Sequence, residues 1–290
     1  MSETVAVIGA GQMGSGIAQT AASFGHAVWL ADVSIDLAEK AKAEIGKRLE
    51  RQVAKGKITA AAAAATLARI TPVGDYAAFA GASFIIEAAT EREDIKARIF
   101  EAAGKVLAQG AILASNTSSI PITRMARGAV DPARFIGLHF FNPVPLMQLI
   151  EVIPGLATSA ETIARTRAFA TSLGKTVVLS QDEPGFIVNR ILLPMINEAV
   201  FSLGQGTANV VDIDTGVRLG LNHPIGPLEL ADFIGLDTCL EIMKILLAST
   251  GDSKYRPAPL LQKYVEAGWL GRKTGRGFYD YTGETPVPTR

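Results

Sequence analysis

A short apolar run followed at once by a glycine-rich turn is the feature that most restricts the fold of this chain. Residues 5–8 read V-A-V-I, residues 9–16 read G-A-G-Q-M-G-S-G, and an apolar pattern with helical spacing begins at Ile17. A continuous apolar run of this length is typical of a parallel strand that is buried on both faces. Strand, glycine turn and helix in this order predict the first βαβ unit of an open α/β sheet.

Each glycine of the turn has its own task in such a unit. Gly9 permits the tight turn, Gly11 lets a pyrophosphate approach the backbone, and Gly14 lets the helix pack closely on the strand. Phosphates bound there meet the helix N-terminus, whose free N–H groups attract anions. The alternative is a glycine turn that only caps an ordinary helix. The predicted nucleotide-binding residues are Gly9, Gly11, Gln12, Met13 and Gly14.

An acidic residue follows the second predicted strand. The apolar run at 27–31 ends at Asp32, about where a dinucleotide-binding unit carries the acid that holds the ribose. Because a carboxylate there repels a 2′-phosphate, the predicted cofactor is NAD rather than NADP.

Strands and helices alternate along the first part of the chain. Apolar runs at 83–88, 111–115 and 176–179 continue the pattern, which predicts a doubly wound α/β sheet. The polar turn Q-D-E-P-G follows the last run, and beyond it the apolar spacing is helical. We therefore predict a Rossmann-like domain over residues 1–183 and a smaller, all-helical domain over residues 184–290.

Two strand-like runs joined by a Pro-rich connection hold a histidine and a glutamate. His139 lies in F-I-G-L-H-F-F and Glu151 in L-I-E-V-I, with Pro145 midway between them. If the runs pair as an antiparallel hairpin about Pro145, both side chains face the same side within cross-strand reach. A carboxylate beside an imidazole fixes its tautomer and stabilises the imidazolium, which is how a general base is built. The alternative is a buried histidine that the glutamate holds for packing alone.

Further polar residues follow predicted strands, at the edge where open α/β sheets bind ligands. Glu91 and Lys96 come after the run at 83–88, and S-N-T-S-S occupies 115–119. The hydroxyls of that cluster could cap the next helix or contact a ligand. Asn189, in the first turns of the second domain, could likewise bind substrate or only cap its helix.

A charge-rich helix is predicted over residues 35–57. Its basic residues are interleaved with glutamates, and such a helix is usually a solvated face. The alternative is a cradle for a polyanion such as the phosphates of coenzyme A. The basic residues of this helix are Lys40, Lys42, Lys47, Arg48, Arg51, Lys55 and Lys57.

Composition excludes several classes of partner. The 28 acidic residues balance 28 Lys and Arg, so nothing favours nucleic acid or an anionic membrane. Polar residues interrupt the longest apolar stretch, and a strand pattern by Thr4 leaves no room for a signal peptide. The single cysteine, Cys239, fits a reducing compartment. We therefore expect a soluble, cytoplasmic protein.

No spacing of His, Cys and Asp is typical of a metal site, so no metal is predicted. His223, directly before a proline, is expected to be structural, and His26, after Gly25, is expected in an exposed turn. No serine lies in the G-x-S-x-G nucleophile elbow of many hydrolases.

A family resemblance rests on motifs that follow one another across nearly the whole chain. They are G-A-G-Q-M-G, the acid after the second strand, S-N-T-S-S, H-F-F-N-P-V with the glutamate at 151, P-G-F-I-V-N-R and L-G-R-K-T-G-R-G-F-Y. Together they resemble the L-3-hydroxyacyl-CoA dehydrogenase family, among its short-chain bacterial members. Several long motifs in register make this resemblance highly specific.

The resemblance implies NAD-dependent oxidation of an (S)-3-hydroxyacyl-CoA, in the short-chain case 3-hydroxybutyryl-CoA, to the 3-oxoacyl-CoA, and the reverse reduction of acetoacetyl-CoA. It implies that His139 takes the proton of the C3 hydroxyl as hydride leaves for the nicotinamide, and that Glu151 orients and supports His139. It also implies that Ser118 and Asn189 hydrogen-bond the substrate or cofactor near the reacting centre.

The resemblance implies binding roles as well. Asp32 would hold the adenosine ribose. The basic helix would meet coenzyme A, with Ser118 nearby, through some of the residues Arg48, Arg51, Lys55 and Lys57. A homodimer formed through the helical domain is also implied. The further cofactor contacts implied are Glu91, Lys96, Ser118, Asn142 and Lys273.

Three other functions compete with this one. The nearest is an NAD-dependent dehydrogenase of a free hydroxy or sugar acid on the same two-domain plan. A second is an acyl-CoA hydrolase that uses Ser118, His139 and Glu151. A third is a non-catalytic NAD-binding protein, although a binding role has no need of a base.

Overall fold

The computed structural model describes residues 2–290, which form two compact units, one ending at Phe186 and the other running from Ile187 to Arg290. The boundary predicted between residues 183 and 184 lies just before this division. The first unit is built on an eight-stranded sheet. Its strands are β1 (Thr4–Ile8), β2 (Ala27–Ala31), β3 (Ile70–Val73), β4 (Phe84–Glu87), β5 (Ile112–Ser115), β6 (Phe135–Phe140), β7 (Leu149–Pro154) and β8 (Thr176–Leu179).

The strand order is β3-β2-β1-β4-β5-β6-β7-β8, and every neighbouring pair is parallel except β6 and β7. Chain order reverses beside β1, which is the point where open α/β sheets bind their ligands. The predicted doubly wound sheet is confirmed. The helices of this unit are α1 (Gln12–Ser23), α2 (Ile35–Ala54), α3 (Ala60–Ala68), α4 (Glu93–Gly104), α5 (Ile122–Ala126) and α6 (Ala160–Ser172).

Helices cover both faces of the sheet. Val5 and Val7 of β1 belong to the core shared with α1, α2 and α6, whereas Ala6 and Ile8 belong to the core shared with α4 and α5. Successive side chains of a strand point to opposite faces, so β1 is buried on both sides, as its continuous apolar run predicted.

Some predictions for this unit were wrong. Strand β3 was missed. It is a four-residue edge strand that contains Pro72, and within the described part of the chain its one partner is β2. A proline is tolerated at such an edge. Helix α2 ends at Ala54, with Lys55 as its C-cap, and does not reach Lys57.

His26 was also predicted wrongly, because it is 2% exposed. Its Nδ1 accepts a hydrogen bond from the N–H of Glu3 at 3.0 Å, and its Nε2 lies 3.1 Å from Oγ of Ser172 at the end of α6. The turn between α1 and β2 therefore folds against another helix instead of facing solvent.

The second unit has a hydrophobic core of its own, which includes Leu193, Leu228, Met243 and Leu261. It is helical, as predicted, apart from a two-stranded ribbon near the C-terminus. Among residues 2–290, no helix has the length and apolar character needed to span a membrane. The elements of this unit are α7 (Val188–Gly204), α8 (Val210–Gly220), α9 (Pro227–Ile234), α10 (Leu236–Thr250), α11 (Pro259–Glu266), β9 (Tyr279–Asp280) and β10 (Val287–Pro288).

A buried aspartate anchors the glycine-rich segment before β9. Asp232, 1% exposed, accepts hydrogen bonds from the N–H groups of Phe278 and Tyr279, both at 2.9 Å, and from the hydroxyl of Tyr281 at 3.0 Å. A Cβ added to Gly277 would overlap this carboxylate. Burial raises the pKa of Asp232 to about 6, although the three hydrogen bonds oppose the change.

Candidate active site

The imidazole and carboxylate of the predicted hairpin form a direct pair. β6 and β7 pair in antiparallel register with His139 opposite Glu151, and Nδ1 of His139 lies 2.7 Å from Oε2 of Glu151. The side chain of Glu151 is fully buried, and that of His139 is 8% exposed. The predicted geometry of this pair is confirmed.

The pair fixes which nitrogen of His139 can accept a proton. A carboxylate accepts hydrogen bonds, so at 2.7 Å the Nδ1 atom carries the proton that it donates to Glu151. Nε2 of the neutral ring is then the basic atom. The rings of Phe141 and Phe186, with centroids 4.6 and 5.7 Å from that of His139, flank the imidazole. This arrangement is that of an oriented general base in an apolar surrounding.

The serine-rich loop after β5 wraps around one carboxylate oxygen of Glu91. Oε1 accepts hydrogen bonds from the backbone N–H groups of Ser118 and Ser119, at 2.8 and 3.2 Å. The hydroxyls of Thr117, Ser118 and Ser119 donate to the same oxygen, at 2.7, 3.1 and 3.0 Å. The loop is also tied to β6, because Oδ1 of Asn116 accepts from the N–H of Phe140 at 2.9 Å. Ser118 and His139 are thus anchored at the same edge of the sheet.

Lys96 contacts the residue at the start of this loop and the glutamate that the loop binds. Its side chain is 1% exposed, and its Nζ lies 2.5 Å from Oε2 of Glu87, 3.3 Å from Oγ of Ser115 and 3.7 Å from Oε2 of Glu91. A buried charge needs a partner of this kind. The structure therefore places the amine of Lys96 inside the protein, next to Glu91, whose side chain is 41% exposed.

The glycine turn has the geometry that its sequence predicts. Gly9 has φ of +100°, and a Cβ on Gly14 would overlap the carbonyl oxygen of Gly9, so the turn is tight and the helix packs closely. Among residues 2–290, a Cβ on Gly11 would meet nothing within 4 Å, and no side chain caps α1 at Gly11. Gln12 begins the helix, with Met13 next. The exposed helix N-terminus fits an anionic phosphate.

Asp32 lies against this turn at the end of β2. Its Oδ2 accepts from the N–H of Ala10 at 2.6 Å, and its Oδ1 accepts from the N–H of Val33 at 2.7 Å. The carboxylate is therefore fixed beside the position that the turn offers to a pyrophosphate, where an adenosine ribose would reach it. Turn and carboxylate together fit a dinucleotide.

The four basic residues that are candidates for coenzyme A contacts differ in burial and in their hydrogen bonds. Arg48 is partly buried and donates to Oε1 of Gln19 at 3.0 Å and to Oγ of Ser15 at 3.3 Å, both on α1. Burial lowers the pKa of its guanidinium. Arg51, Lys55 and Lys57 are exposed. Of the four candidates for the coenzyme A cradle, these three are the exposed ones.

The remaining candidates lie elsewhere in the chain. Asn142 is exposed, just after β6. Asn189 and Lys273 belong to the second unit: Asn189 is partly buried in the first turn of α7, and Nζ of Lys273 lies 2.5 and 2.6 Å from the two carboxylate oxygens of Asp237.

Sequence reasoning missed two residues that hold the site together. Glu87 is the buried partner of Lys96, and Asn116 ties the serine-rich loop to β6. A charged residue that ends the apolar run F-I-I-E was the available signal for Glu87. Nothing in the sequence signalled the bond from Asn116, which depends on the register between β5 and β6.

Comparison with known proteins assigns the class. Residues 4–183 match the family model for the NAD binding domain of 3-hydroxyacyl-CoA dehydrogenase, and residues 185–281 match the model for its C-terminal domain. The chain therefore belongs to the 3-hydroxyacyl-CoA dehydrogenase family, as its motifs predicted. The first of these matches also supports NAD as the cofactor, so that prediction is confirmed.

Particular relatives are similar over nearly their whole length. The chain is 56% identical to the 3-hydroxybutyryl-CoA dehydrogenase of Bradyrhizobium diazoefficiens, covering 99% of this chain and 98% of that protein. It is 51% identical to a probable 3-hydroxybutyryl-CoA dehydrogenase of Bacillus subtilis, covering 97% and 98%. A solved structure of (S)-3-hydroxybutyryl-CoA dehydrogenase from Ralstonia eutropha matches with a TM-score of 0.95 at 48% identity, covering 98% of this chain and 100% of that one.

Proposed function

We propose that this chain catalyses the NAD-dependent oxidation of (S)-3-hydroxybutyryl-CoA to acetoacetyl-CoA and the reverse reduction. The observation that carries the proposal is the contact of 2.7 Å between His139 and Glu151, on the same sheet as a glycine turn that fits a dinucleotide. The names of the relatives at 51–56% identity support the four-carbon acyl group.

The chemistry follows from the oriented imidazole. Bound NAD supplies the hydride acceptor. Nε2 of His139 takes the proton of the C3 hydroxyl while C3 gives up its hydride, so the alcohol loses both hydrogens and becomes a ketone. Glu151 holds the Nδ1 proton and stabilises the imidazolium that results. In the reverse direction the imidazolium returns its proton to the oxygen of the ketone.

Several polar groups are proposed to hold substrate and cofactor around this base. Ser118 is proposed to hydrogen-bond near the reacting centre, since Glu91 fixes its position through bonds of 2.8 and 3.1 Å. Glu91, 41% exposed, is proposed to contact the cofactor, and Lys96 acts there through Glu91. Asn142 is a further proposed cofactor contact.

Two residues of the second unit are further proposed contacts. Asn189 is proposed to bind substrate or cofactor, and Lys273 to contact the cofactor. Coenzyme A phosphates are proposed to meet Arg51, Lys55 and Lys57, which are exposed.

The rival hydrolase finds no support in the contacts of Ser118. Its hydroxyl donates to Glu91 at 3.1 Å, and among the described residues no hydrogen bond joins it to His139. A nucleophilic serine requires a base within hydrogen-bond reach.

The first experiment follows the absorbance of reduced nicotinamide with acetoacetyl-CoA as oxidant. We expect fast oxidation of NADH and little oxidation of NADPH, because the carboxylate of Asp32 repels a 2′-phosphate. Free acetoacetate is the matched control and should be reduced poorly. Comparable rates with free acetoacetate would favour the dehydrogenase of free hydroxy acids, and thiol release without an absorbance change would favour the hydrolase.

A homodimer formed through the second unit is also proposed. Large apolar side chains of this unit are exposed, among them Ile191 at 67%, Leu219 at 73% and Leu221 at 62%. A second copy of the chain would cover exposed apolar side chains of this kind. Light scattering should give twice the mass of the 30.5 kDa chain, and Leu219→Glu should shift the mass toward the monomer, whereas the exposed control Leu156→Glu in the first unit should not. A monomeric wild type would contradict the proposal.

The cytoplasm is the proposed location. Cys239 is the single cysteine of the chain and cannot form a disulfide within it, which fits a reducing compartment. Fractionation of the source cells tests this location.

A further inference from the structure

One buried cation of the first unit takes no part in the chemistry described above. Lys175, at the junction of α6 and β8, is 7% exposed. Its Nζ donates to the carbonyl oxygens of Val144 and Met147, at 2.8 and 2.7 Å. Burial lowers the pKa of this amine, and no carboxylate among the described residues opposes that change. Its two acceptors are neutral backbone groups.

Both acceptors lie in the turn that joins the strands of His139 and Glu151, which we call the hairpin turn (residues 142–147). Within it the carbonyl oxygen of Pro143 accepts from the N–H groups of Leu146 and Met147, at 2.9 and 3.0 Å. The turn is therefore closed on itself, and Lys175 binds two carbonyls that its internal bonds leave available.

The hairpin turn also packs on the dinucleotide-binding helix. A Cβ added to Gly16 of α1 would lie 2.9 Å from Cβ of Val144 and 3.6 Å from Cδ of Pro145. The glycine thus lets α1 approach the turn closely. In contact with both α1 and Lys175, the hairpin turn links the helix of the nucleotide site to the strands of the proposed base.

A buried ammonium without a counter-charge is expensive, because it loses hydration that neutral carbonyls only partly replace. A methionine of similar length would fill the same volume without that cost. The lysine is thus better explained by the two carbonyls that it fixes than by the stability of the core, and residues that break a local rule in this way are expected where a site must be held in place.

We propose that Lys175 is a positioning residue for the dehydrogenase reaction. It holds the hairpin turn against α1, so that Asn142 keeps its place toward the bound cofactor and His139 keeps its place beside the cofactor site. This inference rests on the proposed function.

A double-mutant cycle between Lys175→Met and Asn142→Ala tests the inference, with the dissociation constant of NADH and kcat for acetoacetyl-CoA as readouts. In the otherwise wild-type chain, Asn142→Ala should weaken NADH binding by about tenfold, the effect of losing one hydrogen bond. In the Lys175→Met chain the same change should cost less than about threefold, because the turn no longer holds the asparagine in place. Lys175→Met alone should weaken NADH binding and lower kcat at a temperature where it is folded.

Lys105→Met is the matched control, because Lys105 is an exposed lysine that pairs only with Glu101 at 3.1 Å. It should leave the tenfold effect of Asn142→Ala intact. Lys175→Arg, which keeps a cation and several donors, should restore NADH binding to within about threefold of wild type. If Lys175→Met does not fold, Lys175→Gln, which keeps one donor, takes its place in the cycle.

The outcomes separate the inference from the proposed function. Equal effects of Asn142→Ala in the wild-type and Lys175→Met chains overturn the inference and leave the proposed function standing, as does Lys175→Met with unchanged NADH binding and kcat. If Asn142→Ala binds NADH as tightly as the wild type, Asn142 is not a cofactor contact. Lys175 then does not act on cofactor binding by positioning Asn142. A wild type that does not reduce acetoacetyl-CoA overturns the proposed function itself.

Discussion

At the scale of residues, the candidate site contains two buried side-chain pairs on one face of the sheet. Glu87 and Glu151 are each fully buried on the face that carries α4 and α5, where Glu87 is paired with Lys96 and Glu151 with His139. The first pair is enclosed, because Nζ of Lys96 also lies 3.3 Å from Oγ of Ser115 and 3.7 Å from Oε2 of Glu91, so that pair is a fixed structural element. The second pair gains a charge when the imidazole takes a proton. Only the second is therefore suited to proton transfer.

Removing the base should abolish most of the chemistry and leave cofactor binding intact. His139→Gln should lower kcat by about 10²–10⁴-fold, the range for loss of a positioned general base. Glu151→Gln should also lower kcat, because an amide can neither fix the same tautomer nor stabilise the imidazolium as a carboxylate does. NADH affinity should stay near wild type, since neither side chain lies in the glycine turn. Steady-state rates and a fluorescence titration of NADH measure the two effects.

The pH profile provides the control for this prediction. In the wild type, oxidation should slow toward acid pH because a protonated imidazole cannot accept the hydroxyl proton. The residual activity of His139→Gln should lack that acid limb. An acid limb that persists unchanged in His139→Gln would remove His139 from the role of base.

At the level of elements, the sequence predicts best those that carry a strong pattern. The His139–Glu151 hairpin was predictable because strand residues alternate between faces, and two runs symmetric about Pro145 can pair in one favoured register. The glycine turn was predictable because its spacing places glycine where a side chain would clash, as at Gly9 and Gly14. Both features are local, or depend on a single pairing.

Features set by contacts between distant segments were not predictable in this way. His26 is buried because Ser172, far along the chain, lies against it. The acceptors of Lys175 are the carbonyl oxygens of Val144 and Met147, and a carbonyl has no signature in a sequence. The missed strand β3 is short and contains a proline, so its local sequence does not predict a strand. Pairing with β2 nevertheless makes it one.

The segment L-G-R-K-T-G-R-G-F-Y shows how a family motif can have a structural cause. Gly271 and Gly277 allow the chain to pass close to Asp232, whose carboxylate binds the next two backbone N–H groups. Much of this motif is therefore explained by one buried carboxylate.

At the scale of the whole molecule, each unit has its own core and a buried group whose pKa is shifted by burial. In the first unit, burial lowers the pKa of His26 below 6.5. The unfolded chain then binds the proton more tightly, so the contribution of His26 to stability is present above pH 6.5 and is lost as pH falls toward its folded pKa. In the second unit, Asp232 has its pKa raised from 3.8 to about 6. Its contribution is present below pH 3.8 and is lost as pH rises through about 6.

The two units should therefore respond to pH in opposite directions, and the chain contains a reporter for each. Trp29 lies in the first unit and Trp269 in the second, so Trp269→Phe and Trp29→Phe leave one tryptophan in one unit. Between pH 5 and 7, the urea concentration at the midpoint of unfolding reported by Trp29 should increase as pH rises, because of His26. The midpoint reported by Trp269 should decrease over the same range, because of Asp232.

The pH dependence of each urea midpoint should disappear when the titrating residue of that unit is replaced. His26→Asn keeps an acceptor for the N–H of Glu3 and should flatten only the response of Trp29. Asp232→Asn should lower stability through lost hydrogen bonds and flatten only the response of Trp269, because an amide does not titrate in this range. If Asp232→Asn kept the full slope at Trp269, another group would have to carry it. Asp214 is the candidate, since burial also raises its pKa and the hydroxyl of Tyr279 donates to it at 2.7 Å.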